Sequence, residues 1–411
     1  MKTRRKDALT SSRRSTRALT SVENSKTIPI DLFIEILLRL PAKSIARCRC
    51  VSKSWAYILR RTCFTELFLT RSRSRPQILF SCRKNGELFF FSTPHVQNPE
   101  RSSRVTASYH MKFPFDDRSY YEGCFVPVNG LVCLPHLLES KKRVPMICNP
   151  STGQSFVLPK VRTKGCDMVY SYLVYDPVGK EFKLFSMTAR VYGSCEEHQV
   201  LTLGTRKLSW RMIECSVSVR YAQFNGICID GVLYYIGALN GPPWGHGIVC
   251  FDVRSEKFKF VNKAEDMELW SGTTLVNYKG KLGVLLSFGY ITQDSEYFEL
   301  WVLIDAEKHE WSKHVCVLPP LWKNIVSDTM LEFVGMTSRG EIVMSTCYLS
   351  NPFYVYYYNI EDNTITRVEV QGMEAFMKDN TVTSIESQGM DAFVYCRVHI
   401  SLSHVEDVKL M

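Results

Sequence analysis

The chain lacks the features that would place it in several common classes. No apolar run approaches the ~18 residues a membrane span needs, and Gly231–Leu239 is among the longest. No apolar segment follows the charged start, so no secretory signal is expected. None of the fifteen cysteines forms a C-x-x-C pair, and Cys48 and Cys50 are the only close two. An odd, scattered count argues against a disulfide scaffold and fits reduced thiols in nucleus or cytoplasm. Zinc wants clustered cysteine and histidine ligands. His309, His314 and Cys316 come nearest, but they fall on an expected β-hairpin with the wrong spacing for a finger. No metal or other cofactor is expected.

What is present is enough apolar material for a large core, 45% hydrophobic and 12% aromatic in 411 residues. The charge is unevenly placed. Residues 1–26 carry eight basic and two acidic side chains, +6 of the formal +10. That stretch is rich in Ser and Thr and poor in apolar residues, so it reads as a disordered tail. Lys2, Arg4, Arg5 and Lys6 could form a nuclear import cluster; the alternative is a solvated basic tail.

Residues 27–60 differ from everything around them. Between Pro29 and Pro41 the only charges are Asp31, Glu35 and Arg39, four apart, on one narrow stripe. Ile30, Leu32, Phe33, Ile34, Ile36, Leu37, Leu38 and Leu40 fill the rest of that helix. A helix apolar nearly all round must be covered nearly all round, and so small a unit cannot supply the cover itself. Pro29 suits the first turn, Glu35 and Arg39 form a favourable i,i+4 pair, and Pro41 stops the helix. Further short helices are expected over 43–50 and from Val51 or Ser52 to Arg60.

The order Ile28-Pro29-x-Asp31-Leu32, Glu35-Ile36-Leu37, Arg39-Leu40-Pro41, Lys43-Ser44-Ile45, Arg47, Val51-Ser52-Lys53 and Trp55 resembles a plant-type F-box. Ile28 stands where Leu is usual, and Cys48 where a larger apolar residue is common. The resemblance implies docking to the Skp-type adaptor of a cullin–RING ubiquitin ligase. By it, Ile28, Pro29, Leu32, Ile36, Leu40, Pro41, Val51 and Trp55 are the adaptor contacts, some of them shared with internal core.

After residue 69 a basic linker, Arg71–Pro76, leads into short β-rich runs. Polar-Gly turns recur at Asn85-Gly86, Asn129-Gly130, Asp230-Gly231, Lys279-Gly280 and Arg339-Gly340, with Val178-Gly179 in the gap. A second series of turns starts at residues 98, 149, 204, 252, 305 and 359, in steps of 51, 55, 48, 53 and 54. A period near 50 with four strands per unit is the signature of a β-propeller of kelch-like length. Six units predict six blades. The first looks one strand short, and the run Ala392–Ile400 predicts a C-terminal strand that completes it and closes the ring.

The strings Asn149–Gly153, Tyr175–Lys180, Leu201–Gly204, Cys228–Tyr235, Phe251–Phe258, Lys279–Leu282 and Glu310–Lys313 resemble the plant F-box-associated domain of type 3. The organisation expected is a basic tail at 1–26, a small all-α F-box of three short helices at 27–68, an all-β propeller at 69–404 and a C-terminal tail at 405–411. In such a ring the tight turns gather on one face and the long connections on the other. Those connections hold Tyr120, Tyr121, Tyr192, Trp244, Trp270, Tyr290 and Trp322. Aromatic anchors are common at interfaces, so Tyr121, Tyr192, Trp244, Trp270, Tyr290 and Trp322 are candidate target contacts, the alternative being packing between blades. Trp210, Trp301 and Trp311 sit in strand patterns and read as core.

The resemblance implies the substrate-recognition subunit of an SCF-type ligase, located in nucleus or cytoplasm and performing no bond chemistry. Its partners would be the adaptor and a target protein. Two other readings are a propeller acting outside a ligase and a kelch-like propeller enzyme. The enzyme needs converging Tyr, His, Cys or carboxylates, and no such constellation is visible. Nucleic-acid binding through the tail is disfavoured by the small charge of the body.

Overall fold

The structure, a computed structural model, describes residues 29–84, 86–96, 103–114, 126–137, 143–163, 168–189, 195–215, 219–222, 226–239, 245–270, 272–373 and 396–409. The chain divides into two compact units, residues 1–39 and 40–411. In the first, helix α1 (Ile30–Leu37) follows Pro29 and carries Asp31 in its first turn, where the helix dipole favours an anion.

The second unit opens with α2 (Ala42–Cys48), α3 (Lys53–Arg60) and α4 (Thr62–Arg73). Ser52 caps α3 by accepting a hydrogen bond from the Trp55 backbone N–H at 3.1 Å. Ala42, Ile45, Leu59, Phe64 and Phe68 are buried among these helices. The sequence reading had no α4. Residues 71–73, read as the start of a linker, are its last turn.

Six sheets follow, one per blade. The first holds β1 (Gln77–Lys84), β2 (Glu87–Pro94), β4 (Ser108–Pro114) and β25 (Val398–His404). The second holds β5 (Val132–Leu137), β6 (Arg143–Asn149) and β7 (Gln154–Val157), with Val128 bridged to Leu131 on its inner side. The third holds β8 (Met168–Asp176), β9 (Glu181–Ala189), β10 (Cys195–Thr202) and β11 (Arg211–Ile213). In the fourth, β12 (Val219–Ala222) and β13 (Ile227–Ile229) share the inner position beside β14 (Val232–Leu239), followed by β15 (His246–Asp252) and β16 (Lys257–Val261). The fifth holds β17 (Thr274–Tyr278), β18 (Lys281–Leu286), β19 (Tyr297–Asp305) and β20 (Glu310–Val317). The sixth holds β21 (Glu332–Met336), β22 (Glu341–Ser345), β23 (Tyr354–Asn359) and β24 (Thr364–Gln371).

The blades are apolar on both faces because each packs against two neighbours. In β15, Ile248 and Cys250 join the core shared with the fifth blade, while Val249 and Phe251 join the core shared with the third. Two-sided burial replaces the polar–apolar alternation of a half-exposed strand with a continuous apolar run. Corresponding cores lie between every adjacent pair of blades.

The C-terminal strand closes the ring as expected. β25 pairs antiparallel with β1, Cys82 opposite Val398 and Gln77 opposite His404. Asn85 lies outside the described residues; because β25 takes the inner position, the β1–β2 turn at Gly86 joins the second and third strands of its blade. That turn therefore lies on the face opposite the other polar-Gly turns. The turn expected from residue 98 lies outside the described residues, and the strand after it is placed unexpectedly. β3 (Ser103–Thr106) does not fold back on β2 but pairs parallel with β24 of the last blade. It straps the outside of the seam that β25 closes on the inside.

Beyond β25, residues 405–409 run between the tight turns and helices α2–α4. The Ala42 N–H donates to the Glu406 carboxylate at 3.2 Å, and the Glu406 N–H donates to Ser72 Oγ at 2.7 Å. The buried Arg49 guanidinium donates to Leu59 O at 2.9 Å and also to Val408 O. From the other side, Asn149 Nδ2 donates to Asp407 O at 2.9 Å. The Asn129-Gly130 turn presses on this segment, and a Cβ on Gly130 would lie 2.6 Å from Val405 O. Both turn residues have positive φ, 48° and 85°, as a type I′ turn requires. The segment read as a plain C-terminal tail is thus a packed strip.

Deleting residues 405–411 should free α2–α4 without opening the blades. Limited proteolysis should then cut within the helices faster while the propeller core survives; an unchanged cleavage pattern would refute the strip's role. A second expectation concerns acid. Burial pushes His198 and His110 down to about 4, and His399 and His404 down to about 3. Folding therefore favours the neutral rings, a stabilisation complete above about pH 6.5 and lost as pH falls towards those values. Each ring can withdraw about 2 kcal/mol by pH 5. Glu406 and Asp407, raised by burial, act oppositely, and their contribution is lost as pH rises. With more groups on the histidine side, the melting temperature should drop between pH 7 and pH 5.

Candidate functional site

The first unit presents an apolar surface on a single helix. Ile30, Leu32 and Ile36 are 53%, 57% and 52% exposed, whereas Leu37 and Leu38 are buried. Pro29 is also exposed, Phe33 is half-buried, and Ile28 lies outside the described residues. Large aliphatic side chains left in water along one helix mark a contact surface. Ile30 belongs with Leu32 and Ile36 on exposure, although the sequence pattern did not single it out as a contact.

In the second unit, Pro41 and Val51 are exposed and Leu40 and Trp55 half-buried. Trp55 is held by the Ser52 cap at the start of α3. Of the remaining large apolar side chains of α2–α4, Ile58 and Leu69 are half-buried and Tyr57 and Leu67 exposed, the rest being buried. Arg61 stacks over the Tyr57 ring at 4.5 Å and donates to its hydroxyl at 2.8 Å.

The propeller's two faces differ in what they can bind. The turn face is occupied. Besides the 405–409 strip, Arg73 of α4 donates to Asn129 Oδ1 at 3.0 Å, and Glu66 lies 3.9 Å from Lys180 on the third blade. Arg73 also lines the central channel, whose volume is about 890 Å³. On the loop face the same channel opens between the strand ends at Glu332, Cys347 and Arg397.

Around that opening the loops are tied to each other. Ile291 and Leu331 exchange both backbone hydrogen bonds, at 2.9 and 2.8 Å. This joins the β18–β19 loop to the connection between the fifth and sixth blades. Leu349 N–H donates to Cys396 O at 2.9 Å and Val398 N–H to Cys347 O at 2.8 Å, joining the β22–β23 loop to the C-terminal run. On this fixed frame stand Phe288, wholly exposed, with Tyr290, Met330 and Tyr348 at 51%, 61% and 42%. Cys347 and Glu332, followed by burial and Tyr348, push the Tyr290 hydroxyl above its ordinary value. The result is a set of exposed aromatic and apolar side chains on the loop face, whose channel opening is lined by one acid and one base.

The expected target contacts fare unequally. Tyr290 and Trp270 are exposed on this face. Trp322 is not a surface residue. It begins a short helix, α5 (Trp322–Val326), is 1% exposed, and its indole donates to Thr292 O at 2.7 Å. Its loop folds back over the core between the fifth and sixth blades. Tyr121, Tyr192 and Trp244 lie outside the described residues, as do Tyr120, Lys2, Arg4, Arg5 and Lys6. Trp210 and Trp301 are buried as expected, and the Trp311 indole donates to Asn262 O at 2.9 Å. Phe288, Met330 and Tyr348 were missed. The Ser-Phe-Gly-Tyr loop held the signal for Phe288, since nothing in that short polar turn could cover it. Among the described residues no group of three His, Cys, Asp or Glu side chains could hold a metal ion. No described helix is long and apolar enough to cross a membrane.

Comparison with known proteins assigns the helices and the blades to two families. The F-box domain family matches residues 27–67, and the F-box associated beta propeller domain family matches residues 77–405. F-box protein DOR of Arabidopsis thaliana is 49% identical over 395 residues, covering 95% of both chains. A second Arabidopsis thaliana F-box protein is 47% identical over 409 residues, covering 98% of this chain and 96% of its own.

Substitution separates the two kinds of aromatic residue on the loop face. Trp322→Ala should destabilise the fold by about 3–5 kcal/mol, the usual cost of emptying a buried aromatic site. Tyr290→Ala should stay within about 0.5 kcal/mol of the parent, as exposed positions do. Urea unfolding of the two variants distinguishes them, and equal losses would show that Tyr290 is a core residue.

Proposed function

This chain belongs to the F-box proteins that carry an F-box-associated β-propeller, and we propose that it is the substrate-recognition subunit of an SCF-type cullin–RING ubiquitin ligase. The F-box docks a Skp-type adaptor, and through it the ligase. The propeller holds a target protein with its loop face. The chain itself makes and breaks no bonds; it raises the rate of ubiquitin transfer by holding the target's lysines near the charged carrier.

The observation that carries this reading is the exposed aliphatic surface of α1. Burying Leu32 and Ile36 beneath a partner recovers about 1.5–3 kcal/mol for each side chain fully covered. Pro29, Leu32 and Ile36 supply contacts from the first unit, with Ile28 beside them in the sequence. Leu40, Pro41, Val51 and Trp55 supply them from the second. Ile30 joins the set on its exposure.

The loop face is the target side because the turn face is already covered by α4 and the 405–409 strip. Phe288, Tyr290, Trp270 and Tyr348 offer anchors of the type that dominates interface energetics. Their loops are braced by backbone hydrogen bonds, so little ordering entropy is lost on binding.

Co-expression of the full chain with a Skp-type adaptor tests the first half. The intact chain should co-purify with the adaptor. The double variant Leu32→Glu with Ile36→Glu should bind at least about 100-fold more weakly, since two central anchors are each worth about 2 kcal/mol. Its melting temperature should match the parent's. Failure of the intact chain to co-purify where an established F-box protein does would place the propeller outside a ligase.

A further inference from the structure

The seam that closes the ring carries two thiols. Cys82 is in β1, and Cys396 lies two residues ahead of β25. Cys82 stands opposite Val398 in the ladder, so Cys396 is its diagonal neighbour across the seam. Both belong to the core between the last and first blades. The two thiols lie near enough across the seam to perturb each other's ionisation, and Cys396 Sγ donates to Arg83 O at 3.0 Å. Their exposure differs. Cys82 is fully buried, while Cys396 is partly exposed where the seam reaches the loop face.

We propose that Cys82 and Cys396 form a reversible disulfide on exposure to a hydroperoxide, and that this bond is a covalent latch on the propeller's seam. Cys396 reacts first. Its sulfur attacks the peroxide O–O bond, giving a sulfenic acid and, from hydrogen peroxide, water. The Cys82 sulfur then attacks the sulfenic sulfur, the S–O bond breaks, a second water leaves and the S–S bond forms. Two thiols are oxidised and one peroxide is reduced. Thiol-based reductants reverse the bond by exchange.

The chemistry of the two groups matches these roles. The neighbouring Cys82 thiol, aided by the nearby Lys84 ammonium, holds the Cys396 thiol below its ordinary value despite burial. Burial instead pushes Cys133, Cys250 and Cys347 up to about 12. A lowered, partly exposed thiol beside a second thiol is the arrangement that oxidises selectively. The register sets the pair diagonally across the seam, so closing the disulfide draws the Cys396 end of the C-terminal run, held by the Leu349 N–H to Cys396 O bond, towards β1. The link would join the C-terminal strand to the first strand and enclose nearly the whole propeller in one covalent loop. Such a loop restricts the unfolded chain most.

The test uses the reduced full-length protein, a small excess of hydrogen peroxide, and peptide mass spectrometry after digestion without reductant. The expected product is a peptide pair joined through Cys82 and Cys396, lacking two hydrogens and separated again by dithiothreitol. The oxidised protein should melt about 3–6 °C higher. Cys396→Ser, at the partly exposed position, should fold and lose both the linked peptide and the shift. Recovery of Cys396 as a stable sulfenic or sulfinic acid, or joined to Cys347, would overturn the latch. So would recovery of both thiols unmodified when exposed Cys50 and Cys63 are already oxidised.

Discussion

The pairing of β25 with β1 is the constraint on which the rest of this structure depends. Each blade buries both of its faces, so none is stable beside water on either side. A row of six such sheets would leave two large apolar faces bare at its ends. Bending the row into a ring removes both, provided the ends are held together. β25 does this by giving the first blade its inner strand, which turns the two chain ends into neighbours in one ladder. β3 reinforces the join from outside by pairing with β24. The core shared by the first and last blades is therefore built from the two extremes of the domain, Ile78 and Phe80 against Val355, Tyr357 and Val398.

The same strand determines what happens on the turn face. On leaving β25 the chain has one direction to go, out through the turns, and residues 405–409 land against α2–α4. Glu406 and Val408 satisfy donors on the helices, while the Asp407 carbonyl satisfies Asn149 on the second blade. Closing the ring and seating the helices are thus successive steps along one stretch of chain. Their polar groups are buried, so each lost partner leaves an unsatisfied group behind. This gives the helices a defined place on the propeller although the direct ion pair between Glu66 and Lys180 is exposed and worth little.

Much of this was legible in the residues. The crowding of aliphatic side chains on α1, the polar-Gly turns and the repeat near fifty residues are local signals, and each survives in the structure. The terminal strand was legible from arithmetic, because a first unit one strand short needs a donor. What was not legible depended on contacts far apart in the chain. α4 carries Thr65 and Ser72 among its apolar residues, and its basic end looked like a linker until Arg73 met Asn129. β3 looks like an ordinary hairpin partner for β2, but its actual partner lies some 265 positions away, as Arg104 with Glu369 shows. Asn85-Gly86 has the same turn chemistry as Asn129-Gly130. The β1–β2 turn at Gly86 faces the other way only because β25 displaces the first blade by one strand. Trp322 sits in a connection as expected, yet that connection folds inward, and no local feature distinguishes it from Trp270.

A covered turn face changes the meaning of exposed residues elsewhere on the propeller. On a free ring, either face could serve, and aromatic side chains on one would carry little weight. Here the tight type I′ turns leave no room for large side chains, and the strip and α4 already fill the space above several of them. Long connections are left for the loop face, where Phe288, Tyr290, Met330 and Tyr348 remain in water around the channel mouth. None of them contributes to the inter-blade cores, so folding does not explain their presence. Their loops are cross-tied by paired backbone hydrogen bonds that hold apolar groups outward instead of letting them collapse onto the sheet. That arrangement is costly for solubility and useful for binding, and it is the physical ground for proposing the loop face as the side that holds a target.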